Sequence, residues 1–455
     1  LSITFFILSG IYALFVFSIK IQKMTIKNAA LSQWLARANP FFFSVYASLV
    51  AFCAYTCIFA FRKPFTVATF EEVSLWGVDY KIWLISAQVI GYMISKFIGI
   101  KVIAEMSGEK RALGILLMIV FAGFSLLGFA FVAPPYNIVF MFLNGLPLGM
   151  GWGFMLGYLE GRRVTEVLSA GLSVSFIFSS GFSKSIGKWV MEEVGFSEYT
   201  MPLVVAGLFA IPLVFFVYLL DHLPPPSAID EAYRTKRQPM NAVERINFVK
   251  TFLGGLVLLI VSYIFLTIYR EFRDNYAAEI WQALGYGSSA NIFTLTETPV
   301  ALCVMICVSL VMAVKDNKNA LIINHIMIFV GFLFIGVGTF AFQQAWISPV
   351  WWIILVGLGL YLGYVPFNSV LFDRLIATFR YVSNVGFLIY LADSFGYLGS
   401  ISVLFYKNFG QLEVSWLAFF IHISYIVSIV GSVLMLASLG YFLRKYQIQF
   451  SFTKE

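Results

Sequence analysis

The chain has 455 residues, of which 60% are hydrophobic and only 12% charged, with a formal net charge of +7. That charged fraction is about half of what a soluble domain carries, and the apolar residues fall in blocks of about 18–25, the length that crosses a ~30 Å hydrocarbon core. The basic residues lie between these blocks and form no single patch, which excludes nucleic acid as the partner and leaves a polytopic membrane protein in a lipid bilayer.

An apolar stretch over residues 1–19 comes first, then Met24 and a polar lead of Thr25, Lys27 and Asn28. Residues 1–39 are read as an N-terminal segment, either an extra helix or upstream residues; Met24 as a natural start favours the second. Twelve spans follow near 40–68, 79–103, 112–132, 136–159, 168–190, 201–220, 251–283, 291–314, 321–341, 347–371, 381–405 and 413–443. The longest connection, 221–250, carries Leu223-Pro224-Pro225-Pro226 and then a basic excess that suits an anionic inner leaflet. It divides two six-helix halves, 40–220 and 251–443, and a tail over 444–455 closes the chain. With the Met24 side inside, 21 of the 30 basic residues fall in cytoplasmic segments, while Lys81, Lys188 and Lys407 fall in outer loops. Both termini are therefore expected in the cytoplasm, and the membrane is expected to be a bacterial inner membrane.

Cys53 and Cys57, like Cys303 and Cys307, are spaced i, i+4 inside apolar blocks with no His or acid at ligand spacing, so they read as packed thiols. No metal, cofactor or catalytic residue is expected, because no nucleophile–base pair or ligand set is visible. The two halves look related. The motif GMGWG begins at Gly149 and GLGLY at Gly357, an offset of 208 that also carries Arg62 onto Arg270. The pair Arg162-Arg163 at the end of the fourth span is echoed by Asp373-Arg374 at the end of the tenth. Repeated halves place a solute site at their interface.

Six cations stand inside the proposed spans: Arg62, Lys63, Lys96, Lys184, Arg270 and Arg273. Each costs on the order of 3 kcal/mol at mid-bilayer on insertion scales, so each must be paired, snorkel, or line a wet cavity. Asp274, Glu297 and Asp393 are the counter-charges within spans, with Glu271 and Glu279 nearby. Arg62 and Arg270 facing one another suit a tetrahedral dianion, because guanidinium forks match phosphate oxygens bidentately. The competing reading ends both helices at these arginines and leaves RKPF and REFRDNY as outer loop. Tyr55 and Tyr263, a few turns before the arginines, are the candidate cavity rings.

In order along the chain, AFRKPFTVA, GYMISKFIG, GEKR, GMGWG and FGYLGS resemble the organophosphate:phosphate antiporters of the major facilitator superfamily, over about residues 40 to 405. The resemblance implies an all-α membrane bundle of that type: twelve helices in two pseudo-symmetric halves, working as a monomer. It implies Arg62 and Arg270 as the phosphate-binding arginines, Lys63 and Lys96 as cavity lysines, and Asp274 and Glu297 as acids that pair with such a lysine as access changes. Glu105 and Arg111 fall in a degraded form of the superfamily's gating loop. The family's fifth-helix His is absent; Ser179 stands there, with Lys184 five residues on. Arg273 and Asp393 are additional charges.

Bland readings stand beside these. Lys184 and Lys96 have the length to snorkel to an interface, Asp393 is placed to bond between helices, and Glu297 is placed to satisfy carbonyls freed by Pro299. The expected function is secondary transport of a small organic anion by alternating access, with a phosphorylated metabolite exchanged for inorganic phosphate as the first reading. A proton-coupled symporter of a carboxylate or acidic sugar, and a transporter-shaped solute sensor, are the alternatives.

Overall fold

The computed structural model describes residues 29–451 apart from 72, 106–107, 160–161, 163–164, 227–241, 382–384 and 410–413. The reading of 1–28, Arg163 and the basic residues 234–237 lies outside the described residues. A short helix α1 (Ala29–Arg37) leads into α2 (Pro40–Phe59). Asn39 caps α2 through Phe41 N at 2.9 Å, and Pro40 occupies the first turn, where its missing N–H is no loss. The first half continues with α3 (Tyr80–Glu105), α4 (Arg111–Phe131), the broken pair α5 (Ile138–Leu148) and α6 (Gly151–Leu159), α7 (Thr165–Glu192) and α8 (Met201–Asp221).

The second half holds α9 (Ala242–Asn275), the short α10 (Ala277–Ala283), α11 (Ile292–Met312), α12 (Asn317–Gln343), α13 (Pro349–Ser369), the short α14 (Leu371–Phe379), α15 (Val385–Phe409) and α16 (Trp416–Ser451). The connection read as 221–250 thus ends earlier, because α9 begins at Ala242.

Eleven stretches among the described residues are long and apolar enough to span a bilayer. The twelfth element, α7, has 28 residues and so runs about 42 Å at 1.5 Å per residue. It falls short in apolarity because it carries seven serines, Lys184 and Lys188. The packing explains that composition. α7 packs on α2 of its own half and on α11 and α13 of the other, while α3 packs on α15. A helix buried between halves needs no lipid-facing coat. Residues that do face outward are large and apolar, such as Phe41, Ile211 and Leu310.

The first span is shorter than read. α2 stops at Phe59, and residues 60–63 turn into a 3₁₀ segment, Pro64–Val67. Pro64 has no N–H to carry the α-helical ladder onward, and Lys63, still in the αR region, becomes the N-cap of the 3₁₀ segment. The carbonyls released there are capped from inside: Asn144 Nδ2 donates to Phe61 O at 3.1 Å, and Gln88 Nε2 donates to Arg62 O at 3.1 Å. Gln88 Nε2 also donates to Asn144 Oδ1 at 2.8 Å, which ties α3 to α5. The turn carrying Arg62 and Lys63 is therefore a buried, braced structure and no outer loop; Arg62 is 5% and Lys63 0% exposed.

Bracing requires α3 and α5 to touch backbone to backbone. A Cβ at Gly145 would lie 2.1 Å from Gln88 O, and one at Gly91 2.2 Å from Phe142 O. Small residues permit such approach in membrane bundles. Gly145→Leu should lower the melting temperature of the purified protein, in line with an overpacking cost of about 1–3 kcal/mol. An unchanged melting curve would show that α3 and α5 have room that this packing denies.

Candidate functional site

Five ionic groupings connect the two halves or line the space between them. They form layers, starting at the end of the bundle that carries residues 60–79.

Nearest that end, Lys81 is buried, contrary to its reading as an outer-loop residue. Its Nζ meets Glu279 Oε1 and Thr66 O, each at 2.6 Å. The first turn of α3 is pressed between the 3₁₀ segment and α10, and an ammonium shut off from water there needs both acceptors. Lys188 donates to Gly287 O, and Ser185 Oγ meets Thr294 Oγ1 at 2.8 Å.

The next layer is built on Asp274, near the end of α9. Its carboxylate takes Lys63 and Lys184, both from the first half, and accepts a hydrogen bond from Ser180. Lys184 therefore does not snorkel. Gly181 lets α7 come this close to α11, since a Cβ there would lie 2.6 Å from Phe293 O.

The third layer is built on Glu271. Arg270 Nη2 donates to Glu271 Oε1 at 2.5 Å. Asn275 Nδ2 donates to Oε2 at 3.1 Å, with Arg62 Nη2 3.7 Å and Lys63 Nζ 3.9 Å away from the same oxygen. Lys63 also donates to Asn275 Oδ1 at 2.9 Å, so the amide links ammonium to carboxylate.

Beyond these layers lies a closed cavity. Arg62, Arg270, Lys96 and Asp393 line it, with Tyr55, Phe59, Trp152 and Phe176 on one side and Tyr364, Asn368 and Tyr397 on the other. It has about 320 Å³ of space between atoms. The Arg62 guanidinium stacks 3.9 Å from the Tyr92 ring centre, and Arg270 lies 4.7 Å from that of Tyr364 and donates to Tyr397 Oη at 2.8 Å. Arg62 Nε and Nη2 and Arg270 Nε are buried with no hydrogen-bond partner. Trp152 Nε1 is another such donor in the cavity lining.

On the far side, Lys96 Nζ meets Asp393 Oδ2 at 2.9 Å, and Tyr263 Oη donates to Oδ1. Lys96 thus pairs across the halves and does not snorkel. Tyr263 sits behind the cavity, stacked on Tyr364. Arg273 and Glu297 form a separate pair at 2.6 Å within the second half. In this conformation Glu297 does not serve Lys63. Ser179 lies outside the cavity lining, where its hydroxyl meets Thr56 Oγ1 at 2.7 Å between α7 and α2. Arg111 Nη1 donates to Gly157 O at 2.5 Å, far from these layers in the first half. Glu105 ends α3, and its side chain lies outside the described residues.

Charge does not balance in this assembly. Among the described residues, Lys96–Asp393 and Arg273–Glu297 are one-to-one pairs, whereas Lys63, Lys184, Arg62 and Arg270 share only Asp274 and Glu271. Two positive charges are left over, one on each shared carboxylate. The sequence reading named Tyr55, which lines the cavity, but gave Glu271 only as a nearby counter-charge and missed Tyr92, Tyr364 and Tyr397. Their signal was available: Glu271 follows Arg270, Tyr92 is four residues before Lys96, and Tyr397 is four after Asp393, all spacings that share a helix face.

Residues 64–445 match the family of unknown function DUF5690. The chain belongs to that family. No curated protein matches it. The DUF5690 chain is, however, similar in fold to solved transporters. A D-xylose–proton symporter aligns with TM-score 0.57 at 16% identity, covering 89% of this chain and 98% of that one. A bacterial homologue of the human drug peptide transporters PepT1 and PepT2 aligns with TM-score 0.58 at 14% identity, covering 89% and 99%. The proton:xylose symporter XylE bound to 6-bromo-6-deoxy-D-glucose gives 0.56 at 16%, covering 88% and 95%. Identities this low carry the fold alone, that of the major facilitator superfamily.

Removing one partner from a buried ion pair leaves the other uncompensated, at about 3–5 kcal/mol. Asp274→Asn strands Lys63 and Lys184 together and should lower the melting temperature. Adding Lys184→Met should recover part of the loss. If Asp274→Asn melts like the parent protein, the Asp274 layer does not hold the halves together.

Proposed function

We propose that this chain is a secondary transporter that moves a small organic anion with a doubly charged head by alternating access. The observation that carries the reading is the pair Arg62 and Arg270. Both are buried and line one cavity, each with unpartnered donors, next to a cluster with two positive charges in excess among the described residues. A dianion bound there would offset the charge left over on the two arginines and, in the adjoining layer, on the lysines that share Asp274, and would accept the free N–H groups, where a neutral sugar would leave the charge standing. A phosphorylated metabolite exchanged for inorganic phosphate is the first solute to test, since the motif order resembles the organophosphate:phosphate antiporters.

The basic residues of the connecting segments support a bacterial inner membrane with both termini in the cytoplasm. On that orientation, the Lys81 and Asp274 layers form the outer closure between the halves 40–220 and 251–443, and the protein acts as a monomer. Solute must bind the open and closed states unequally to drive the change between them.

Labelled phosphate should enter phosphate-loaded liposomes containing the purified protein. Arg62→Lys should reduce that exchange at least a hundredfold, because a point charge cannot replace the planar fork. Exchange that survives in Arg62→Lys sinks the arginine site. The Lys96–Asp393 pair favours a second reading, proton-coupled uptake, and two of the solved neighbours are described as proton symporters. Uptake that collapses on adding a protonophore would select it.

A further inference from the structure

Glu271 is an acid beside an anion cavity, bonded to one of the arginines that line it and within ion-pair range of the other. It is 4% exposed, it follows Arg270 in the chain, and its two oxygens are shared among Arg270, Arg62, Lys63 and Asn275. Repulsion between this carboxylate and a bound dianion would weaken solute binding, since two like charges about 4 Å apart repel by several kcal/mol at the effective dielectric of a protein site. A residue serving only solute affinity would not be acidic here.

Two buried arginines without a counter-anion would hold an empty carrier in whichever state lets water reach them. Crossing the occluded state would then bury both charges bare, which is prohibitive. Such a carrier turns over only when loaded, so it exchanges and does nothing else. Glu271 changes that constraint. With the cavity closed, Glu271 beside it already receives a hydrogen bond from Arg270 and lies in ion-pair range of Arg62 on the other half.

We propose that Glu271 is a built-in counter-anion that stands in for the solute at Arg62 and Arg270, so that the empty carrier can change access and the protein catalyses net flux as well as exchange. The inference rests on the anion-transport reading and adds to it the mode of transport. Solute and Glu271 compete for the same guanidiniums. When the dianion leaves, Glu271 closes on them. When it arrives, Asn275 and Lys63 are placed to hold the displaced carboxylate, Asn275 through its amide and Lys63 from 3.9 Å.

The test separates net flux from exchange in liposomes loaded with labelled phosphate, with a potassium ionophore present to dissipate charge. The wild-type protein should release phosphate into phosphate-free medium and also exchange it. Glu271→Gln should lose net release at least tenfold while exchange continues with a lower half-saturation concentration, because the competitor is gone. Glu271→Asp, which keeps the charge, should restore net release and guards against a variant that merely folds poorly. Net release by Glu271→Gln at the wild-type rate overturns the proposal, as does a wild-type protein that exchanges but never releases. Absence of exchange in the wild-type protein overturns the phosphate reading itself, and this inference with it.

Discussion

A cation buried in a membrane bundle must find a counter-charge, and six cations inside the spans here have only four carboxylates within reach among the described residues. Most of the inner architecture follows from that shortage. The carboxylates Asp274 and Glu271 lie three residues apart on α9; Asp274 is shared by Lys63 and Lys184, and Glu271 by Arg270, Arg62 and, at 3.9 Å, Lys63. Three of those four cations come from the first half, so the shared acids fasten the halves across their interface. Hydrogen bonds from Ser180 and Asn275 fill the remaining lone pairs, as a buried carboxylate requires. The part of the excess charge that sits on Arg62 and Arg270 faces a small aromatic-walled cavity.

The helices are arranged to present these groups. α2 ends at Phe59 so that Arg62 and Lys63 sit on a turn, and Gln88 and Asn144 hold that turn's carbonyls. α7 gives up its apolar coat because it packs between halves, and Gly181 brings it within reach of α11. Closure on the side of residues 60–79 and closure at Lys96–Asp393 lie on opposite sides of the cavity. Alternating access needs contacts of this kind that break in turn.

The fold was legible because the bilayer imposes a length and an apolarity on every span. Eleven spans announce themselves that way, and the twelfth was recognisable by position even though its serines dilute it. The 208-residue offset linked Arg62 to Arg270, and both line one cavity. What the sequence did not disclose was pairing. Lys184 reads equally well as a snorkelling residue until Asp274 is seen beside it. Lys81, two residues into a helix, reads as loop until α10 covers it. Glu297 lies on the right helix for a lysine partner yet turns to Arg273. Partner choice depends on rotation about helix axes, which periodicity constrains only loosely.

The central claim is that the uncompensated arginines form an anion site. Ligand-induced thermal stabilisation of the purified protein tests it most directly, because a ligand that binds the native state raises the melting temperature by mass action. Inorganic phosphate, a hexose phosphate, the corresponding neutral sugar and a dipeptide would be compared at equal ionic strength, with Arg270→Gln alongside. The account predicts stabilisation by the phosphorylated solutes alone, lost in Arg270→Gln. Stabilisation by the neutral sugar or the dipeptide, with none from the phosphates, would contradict it.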